Sequence, residues 1–196
     1  MRRGPTVLFA YFALGALGIL GPIFAGNDPL ATTSWLGTKG FSSVGLSLLI
    51  GLALAAAAII LTRALVRRFQ WARALHAELR AVTRGAGEAE LFLTALGGGL
   101  AEELFFRGMP VPIAGVALAA VAFGLLHQVR GEARWGWALS ATAIGCALGL
   151  LFVVTGSLLG CIVAHVIINA ANLRFLRDRD LSPKPRRLGG LLQRSS

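Results

Sequence analysis

The residues of this 196-residue chain that could do chemistry lie in its second half, set among apolar neighbours. The first group is Ala101-Glu102-Glu103-Leu104-Phe105-Phe106-Arg107-Gly108. Glu103 and Arg107 are four apart, so on a helix they share one surface and can pair. Glu102 lies about 100° further around the same helix and has no local partner. A carboxylate in apolar surroundings without a fixed counter-charge is a candidate general base. Pairing within a bundle, with no chemistry, is the alternative reading of both acids, and it suits Glu103 better than Glu102. A second group ends in Phe123-Gly124-Leu125-Leu126-His127. Taken alone, His127 fits an interfacial side chain as well as a catalyst. The third group holds His165 and Asn169, four apart on one helical face, with Asn172 continuing that face. They sit in the middle of an apolar run, where each polar group left unsatisfied costs several kcal/mol. A carboxylate, two imidazoles and a carboxamide on three apolar runs suggest one polar cluster in an apolar bundle.

The elements that must carry these groups are membrane helices. Apolar residues make up 56% of the chain and charged residues only 14%, against roughly a quarter charged in a soluble domain. Mean hydropathy is +0.71. These values exclude a soluble globular enzyme, a disordered tail and a disulfide scaffold. They leave an all-α polytopic bundle. Six apolar runs, at about 7–26, 44–62, 88–107, 110–127, 135–155 and 157–174, each approach the ~20 residues that cross a hydrocarbon core. They form a single transmembrane bundle over 1–181, with a basic, flexible tail over 182–196. Cys146 and Cys161 lie inside apolar runs and read as small packing residues rather than a disulfide or zinc framework.

Charge sets the orientation. The chain has 19 Lys+Arg against 9 Asp+Glu, a net charge of +10. The basic residues lie between and beyond the apolar runs, so anionic lipid headgroups are the expected partner, not nucleic acid. Arg2 and Arg3, the arginines of 63–84, Arg130 and Arg134, and the cluster from Arg174 to Arg194 fall on one side if six crossings leave both termini in the cytoplasm of a multi-pass cell-membrane protein. Arg107 is the exception, which pairing with Glu103 explains. Residues 1–26 read as an uncleaved first helix rather than a signal peptide. Over 66–84, Val66, Phe69, Ala72, Leu75, Leu79 and Val82 recur at helical spacing among arginines, predicting an amphipathic helix on the cytoplasmic face. His76 falls there and is expected to be interfacial, without chemistry.

Glu102-Glu103-x-x-x-Arg107, Phe123-x-x-x-His127 and His165-x-x-x-Asn169 together resemble the three motifs of the CPBP (CAAX protease and bacteriocin-processing) intramembrane proteases, which include the Rce1-type prenyl-protein endopeptidases. The resemblance covers about the C-terminal half. It implies that Glu102 activates a water, that His127 holds this water with it, and that His165 and Asn169 stabilise the oxyanion. Glu103 and Arg107 would orient the motif helix. It also implies a glutamate-dependent peptide hydrolase acting without a metal. The set Glu102, His127 and His165 could alternatively ligate zinc. Asn169 suits an oxyanion donor, and the HExxH spacing is absent.

A straight hairpin of the third and fourth runs would leave His127 roughly 24 Å along its helix from the turn near Glu102. Side chains cannot close that gap. The segment 108–116, with Pro110, Pro112 and Gly115, must therefore break, re-enter or cross steeply. Gly97-Gly98-Gly99 could break the third helix or admit a close neighbour. The function expected is an endopeptidase cutting near the end of a membrane-anchored protein or peptide. The alternatives are a non-proteolytic scaffold, immunity factor or chaperone of the same fold, and a small transporter.

Overall fold

The computed structural model describes residues 4–181. Arg2, Arg3 and the basic tail 182–196 lie outside the described residues. Seven helices account for nearly all of the described chain: α1 (Gly4–Phe24), α2 (Gly40–Arg68), α3 (Gln70–Thr83), α4 (Glu88–Gly108), α5 (Pro110–Leu126), α6 (Arg134–Thr155) and α7 (Leu159–Asp178). No strand occurs among the described residues beyond one isolated bridge, Ala31 to Ser157. Apolar side chains cover the outside of the bundle as well as its core. Phe9, Phe12, Phe24, Leu49, Ile60, Leu93 and Leu139 are all more than half exposed, as expected where lipid replaces water as the neighbour.

Three helices are long and apolar enough to cross a membrane: α2, α6 and α7. A fourth span arises if α4 and α5 count as one broken crossing, and α1 contributes a shorter apolar stretch, Phe9–Phe24. The sequence reading of six spans exceeds this count because it takes α1, α4 and α5 each as a full crossing, and the last of these is one arm of the bent pair. It forms a 17-residue helix whose axis turns by 110° from that of α4. Met109 leaves helical geometry at the bend, and Pro110 opens α5 with no N–H to bond. Gly115 then takes φ 79° and ψ 168°, a backbone region open essentially to glycine alone. The expected departure from a plain hairpin over 108–116 is present. Gly97-Gly98-Gly99, in contrast, leaves α4 unbroken.

Those glycines act through close packing. A Cβ on Gly99 would press on Val166 of α7, and one on Gly98 would meet the Tyr11 hydroxyl of α1 at 3.0 Å. The same device recurs elsewhere in the bundle. A Cβ on Gly18 of α1 would collide with the backbone of Leu104, and one on Gly160 of α7 with the Ser47 carbonyl of α2. Association of helices in lipid draws on such contacts because burial from water is not available there. Polar ties reinforce α2 against α7: Ser47 Oγ donates to the Ser157 carbonyl at 2.9 Å and accepts from Gly160 N–H at 3.1 Å.

Helix α3 packs across the ends of α2, α6 and α7. His76 Nε2 donates to the Arg179 carbonyl at 2.8 Å, and Arg80 donates to the carbonyls of Leu176 and Arg177. Cationic and polar side chains thus cap the open carbonyls ending α7. Ala72 is buried and Trp71, Leu75 and Leu79 face an internal cavity. The sequence placed this apolar face on lipid; docking on the end of α7 turns Ala72, Leu75 and Leu79 inward, while Phe69 and Val82 stay exposed. His76 is 3% exposed, so it is a buried capping group and not an interfacial one.

If backbone proximity holds α2 on α7, Gly160→Ala should force the helices apart and cost at least about 2 kcal/mol, the range of overpacked cores. Thermal unfolding in detergent would measure this. Gly45→Ala, whose Cβ would meet nothing within 4 Å, should be neutral or slightly stabilising. Equal melting of both variants and the parent protein would contradict close packing as the source of this stability.

Candidate active site

Glu103, on the inner face of α4, is wholly buried. Its Oε1 lies 2.9 Å from Arg107 Nη1, one turn on, and 2.7 Å from Nδ1 of His165 on α7. Arg107 is 1% exposed. It donates through Nη2 to the Gly145 carbonyl of α6 at 3.1 Å, and its guanidinium lies 5.8 Å from the Phe123 ring of α5. The expected Glu103–Arg107 pair therefore exists, and it extends to His165.

Hydrogen-bond chemistry then fixes the imidazoles. A carboxylate paired with an arginine can only accept, so His165 carries its proton on Nδ1. His127 Nδ1 lies 2.8 Å from the Phe123 carbonyl one turn back. A carbonyl also only accepts, so His127 is likewise protonated on Nδ1. In the neutral rings both Nε2 atoms are left as lone pairs, and both point at Glu102. His127 Nε2 is 3.6 Å and His165 Nε2 is 3.8 Å from Glu102 Oε2. These separations are long for direct hydrogen bonds and short enough for one water to bridge. Glu102 Oε2 is buried and has no hydrogen-bond partner among the described residues.

Phe123 sets the two rings relative to one another. It is 2% exposed. Its ring stacks at 4.2 Å on His127 and meets His165 edge-on at 5.9 Å. Trp137 of α6 presents its ring to His127 from the other side, at 5.9 Å. The aromatic residue four positions before His127 is thus one wall of the site, and it supplies the carbonyl that fixes the tautomer.

His127, His165 and Asn169 line one cavity with room for water-sized molecules of about 200 Å³. Trp71, Leu75 and Leu79 of α3 and Ile144 of α6 make its wall largely apolar. The structure therefore brings Glu102 of α4 near His127 and His165, and places Asn169 on the cavity that the two imidazoles line, while Glu102 itself is not among the lining residues. Asn172 is engaged elsewhere, with its Oδ1 accepting from Arg63 Nη1 at 2.8 Å. Sequence reasoning missed Arg63 and His76 as groups held inside the bundle. Arg63 falls in what reads as a loop from residue 63, but α2 runs unbroken to Arg68. The lack of any helix breaker between Gly40 and Arg68 was the available signal. Cys161 is buried, with its Sγ 3.2 Å from the Leu148 carbonyl, a packing role. Among the described residues, no group of three His, Cys, Asp or Glu side chains stands in a metal-holding arrangement.

Fold and cluster define a helical, membrane-type bundle with a buried carboxylate–imidazole centre. Residues 88–171 match the family described as Type II CAAX prenyl endopeptidase Rce1-like. The match takes in α4, α5, α6 and most of α7, and hence every group of the cluster. Among curated proteins, "Uncharacterized protein YpbD" of Bacillus subtilis (strain 168) is 39% identical over 80 residues, which is 41% of this chain and 41% of that protein. The chain thus spans about two fifths of that relative's length. No solved structure matches the chain.

Breaking one side of a buried ion pair leaves an uncompensated charge. Glu103→Gln and Arg107→Met should each destabilise the protein by about 3 kcal/mol or more, read as lost yield and a lower unfolding midpoint in detergent. The double variant should lose clearly less than the sum of the two. Additive losses, or single variants as stable as the parent, would show that the pair does not hold the bundle.

Proposed function

We propose that this chain is an intramembrane endopeptidase that hydrolyses a peptide bond near the end of a membrane-anchored protein or peptide. One observation carries the reading: Glu102 Oε2, buried and without a hydrogen-bond partner among the described residues, faces the Nε2 atoms of two imidazoles at 3.6 and 3.8 Å beside a cavity. The match of the same segment to an Rce1-like family model supports it.

In this reading the attacking water donates one hydrogen to Glu102 and the other to Nε2 of His127. Glu102 takes the proton as the water oxygen bonds to the scissile carbonyl carbon. The oxyanion that forms needs donors. The Asn169 carboxamide is one. His165 can be the other only as an imidazolium, because its Nδ1 proton is committed to Glu103. The Glu103 carboxylate, 2.7 Å away, then holds that cation in register. Collapse of the intermediate breaks the C–N bond, and the proton on Glu102 passes to the departing amine. The balance closes with one water consumed and two peptide fragments released. No step uses a metal; zinc held by Glu102, His127 and His165 is the competing proposal.

The remaining topology belongs to the same proposal. The bundle would sit in the cell membrane as a multi-pass protein with both termini in the cytoplasm, about six crossings counting α1 and the two arms of the bent pair. Helix α3 would lie at the cytoplasmic boundary, and the basic residues there would contact anionic lipids, with no role for nucleic acid.

Glu102→Gln keeps the shape of the side chain and removes the base. Peptide hydrolysis should fall by about 10³-fold, within the usual range for a general base, with the unfolding midpoint unchanged. The parent protein should retain its rate in chelator and carry no stoichiometric zinc by elemental analysis. A Gln variant that cleaves at the parent rate would contradict the assignment of the base. One zinc per chain, lost with His127→Ala, would establish the metalloprotease instead.

A further inference from the structure

A second recess lies beside the first, sharing Val66 and Phe175 with it. Four arginines from three helix ends line it: Arg63 and Arg67 of α2, Arg73 of α3, and Arg179 just past α7. No acidic residue is among its lining groups. Asp178 pairs with Arg177, and Asp180 lies 3.7 Å from Arg80.

Two of the arginines are held in place. Arg63 Nη1 and Nη2 donate to Asn172 Oδ1 and to the Ala171 carbonyl at 2.8 and 2.9 Å, while its guanidinium lies 3.8 Å over the Phe175 ring. Arg73 Nη1 donates to the Arg67 carbonyl at 3.2 Å. Each guanidinium has five N–H groups, so both keep donors free. These contacts use part of the donor capacity of Arg63 and Arg73 and do not involve the side chains of Arg67 and Arg179. Four converging cations repel one another unless an anion lies between them. The floor beneath them is apolar, made by Val66 and Phe175.

We propose that this recess binds a phosphate group, and specifically the headgroup phosphate of an anionic phospholipid whose acyl chain lies along the apolar floor. Planar guanidinium forks match phosphate oxygens in pairs. The apolar residues at the base give a lipid an advantage that a free ion lacks. The inference holds whether or not the neighbouring cluster cleaves peptides.

The test uses the full chain purified in neutral detergent, with native mass spectrometry to count bound phosphatidic acid or phosphatidylglycerol. Arg67→Gln and Arg179→Gln remove charge while leaving the Arg63–Asn172 and Arg80–Asp180 contacts intact. Each should weaken phospholipid binding by roughly fivefold, from about 1 kcal/mol per basic residue near an anionic headgroup. Arg68→Gln, outside the recess, should change it by less than twofold. Phosphatidylcholine should not replace the anionic lipids. Inorganic phosphate is the second arm. If it fails to displace the lipid, a phospholipid is the ligand. If it binds as tightly, with the same dependence on Arg67 and Arg179, the phosphate site stands and its source is the free ion. Equal losses in all three variants, or none in any, would overturn the proposal by reducing the recess to ordinary surface charge.

Discussion

The bundle depends on one buried carboxylate. Glu103 Oε1 sits between His165 Nδ1 at 2.7 Å and Arg107 Nη1 at 2.9 Å, with no exposed surface of its own. A charge in that position is tolerated only when paired and hydrogen-bonded. Each partner therefore has to arrive in register. Arg107 brings α6 through the Gly145 carbonyl and α5 through the Phe123 ring. His165 brings α7. The pair thus gathers four helices around one point. It also leaves Glu102, one residue earlier and about 100° around the helix, facing the other nitrogen of the ring that Glu103 has fixed.

The bend between α4 and α5 is the second constraint. Without its 110° turn, His127 would lie a helix length from Glu102. Met109, Pro110 and Gly115 make that turn at the level of the polypeptide backbone, and Gly99, Gly124 and Gly145 let the neighbouring helices close upon it. Small residues and irregular backbone are usually costs to a helix. Here both are placed where the polar cluster needs close approach. The cavity that results is lined mainly by apolar side chains, with His127, His165 and Asn169 among its polar groups.

Much of this arrangement is legible in the sequence. Residues four apart share a helical face, so the Glu103–Arg107 pair and the His165–Asn169 face follow from spacing. Pro110, Pro112 and Gly115 announce a break, because proline and glycine act on the backbone locally. What spacing cannot show is the bond from Glu103 to His165, 62 positions apart. It assigns the tautomer and joins the supporting pair to the site. Nor can it show which way α3 faces. Its apolar stripe serves lipid and protein equally well as a pattern, and only docking on the end of α7 turns Leu75, His76 and Leu79 to the cavity. The direction of the bend between α4 and α5 is hidden for a related reason. Hydropathy measures how apolar α5 is and says nothing about the direction in which it leaves α4.

If the cluster hydrolyses peptide bonds in membrane-anchored substrates, with the Glu103–His165 link keeping the machinery aligned, its absence must leave those substrates uncut. Mapping the chain termini of the membrane proteome tests this most directly, in cells that make the protein and cells from which its gene is removed. A defined set of membrane-anchored proteins should keep an extra terminal segment when the protein is absent. Processing should return with the parent chain and not with His165→Gln. Identical termini in the presence and absence of the protein would contradict a proteolytic role and leave a bundle whose polar centre serves structure alone.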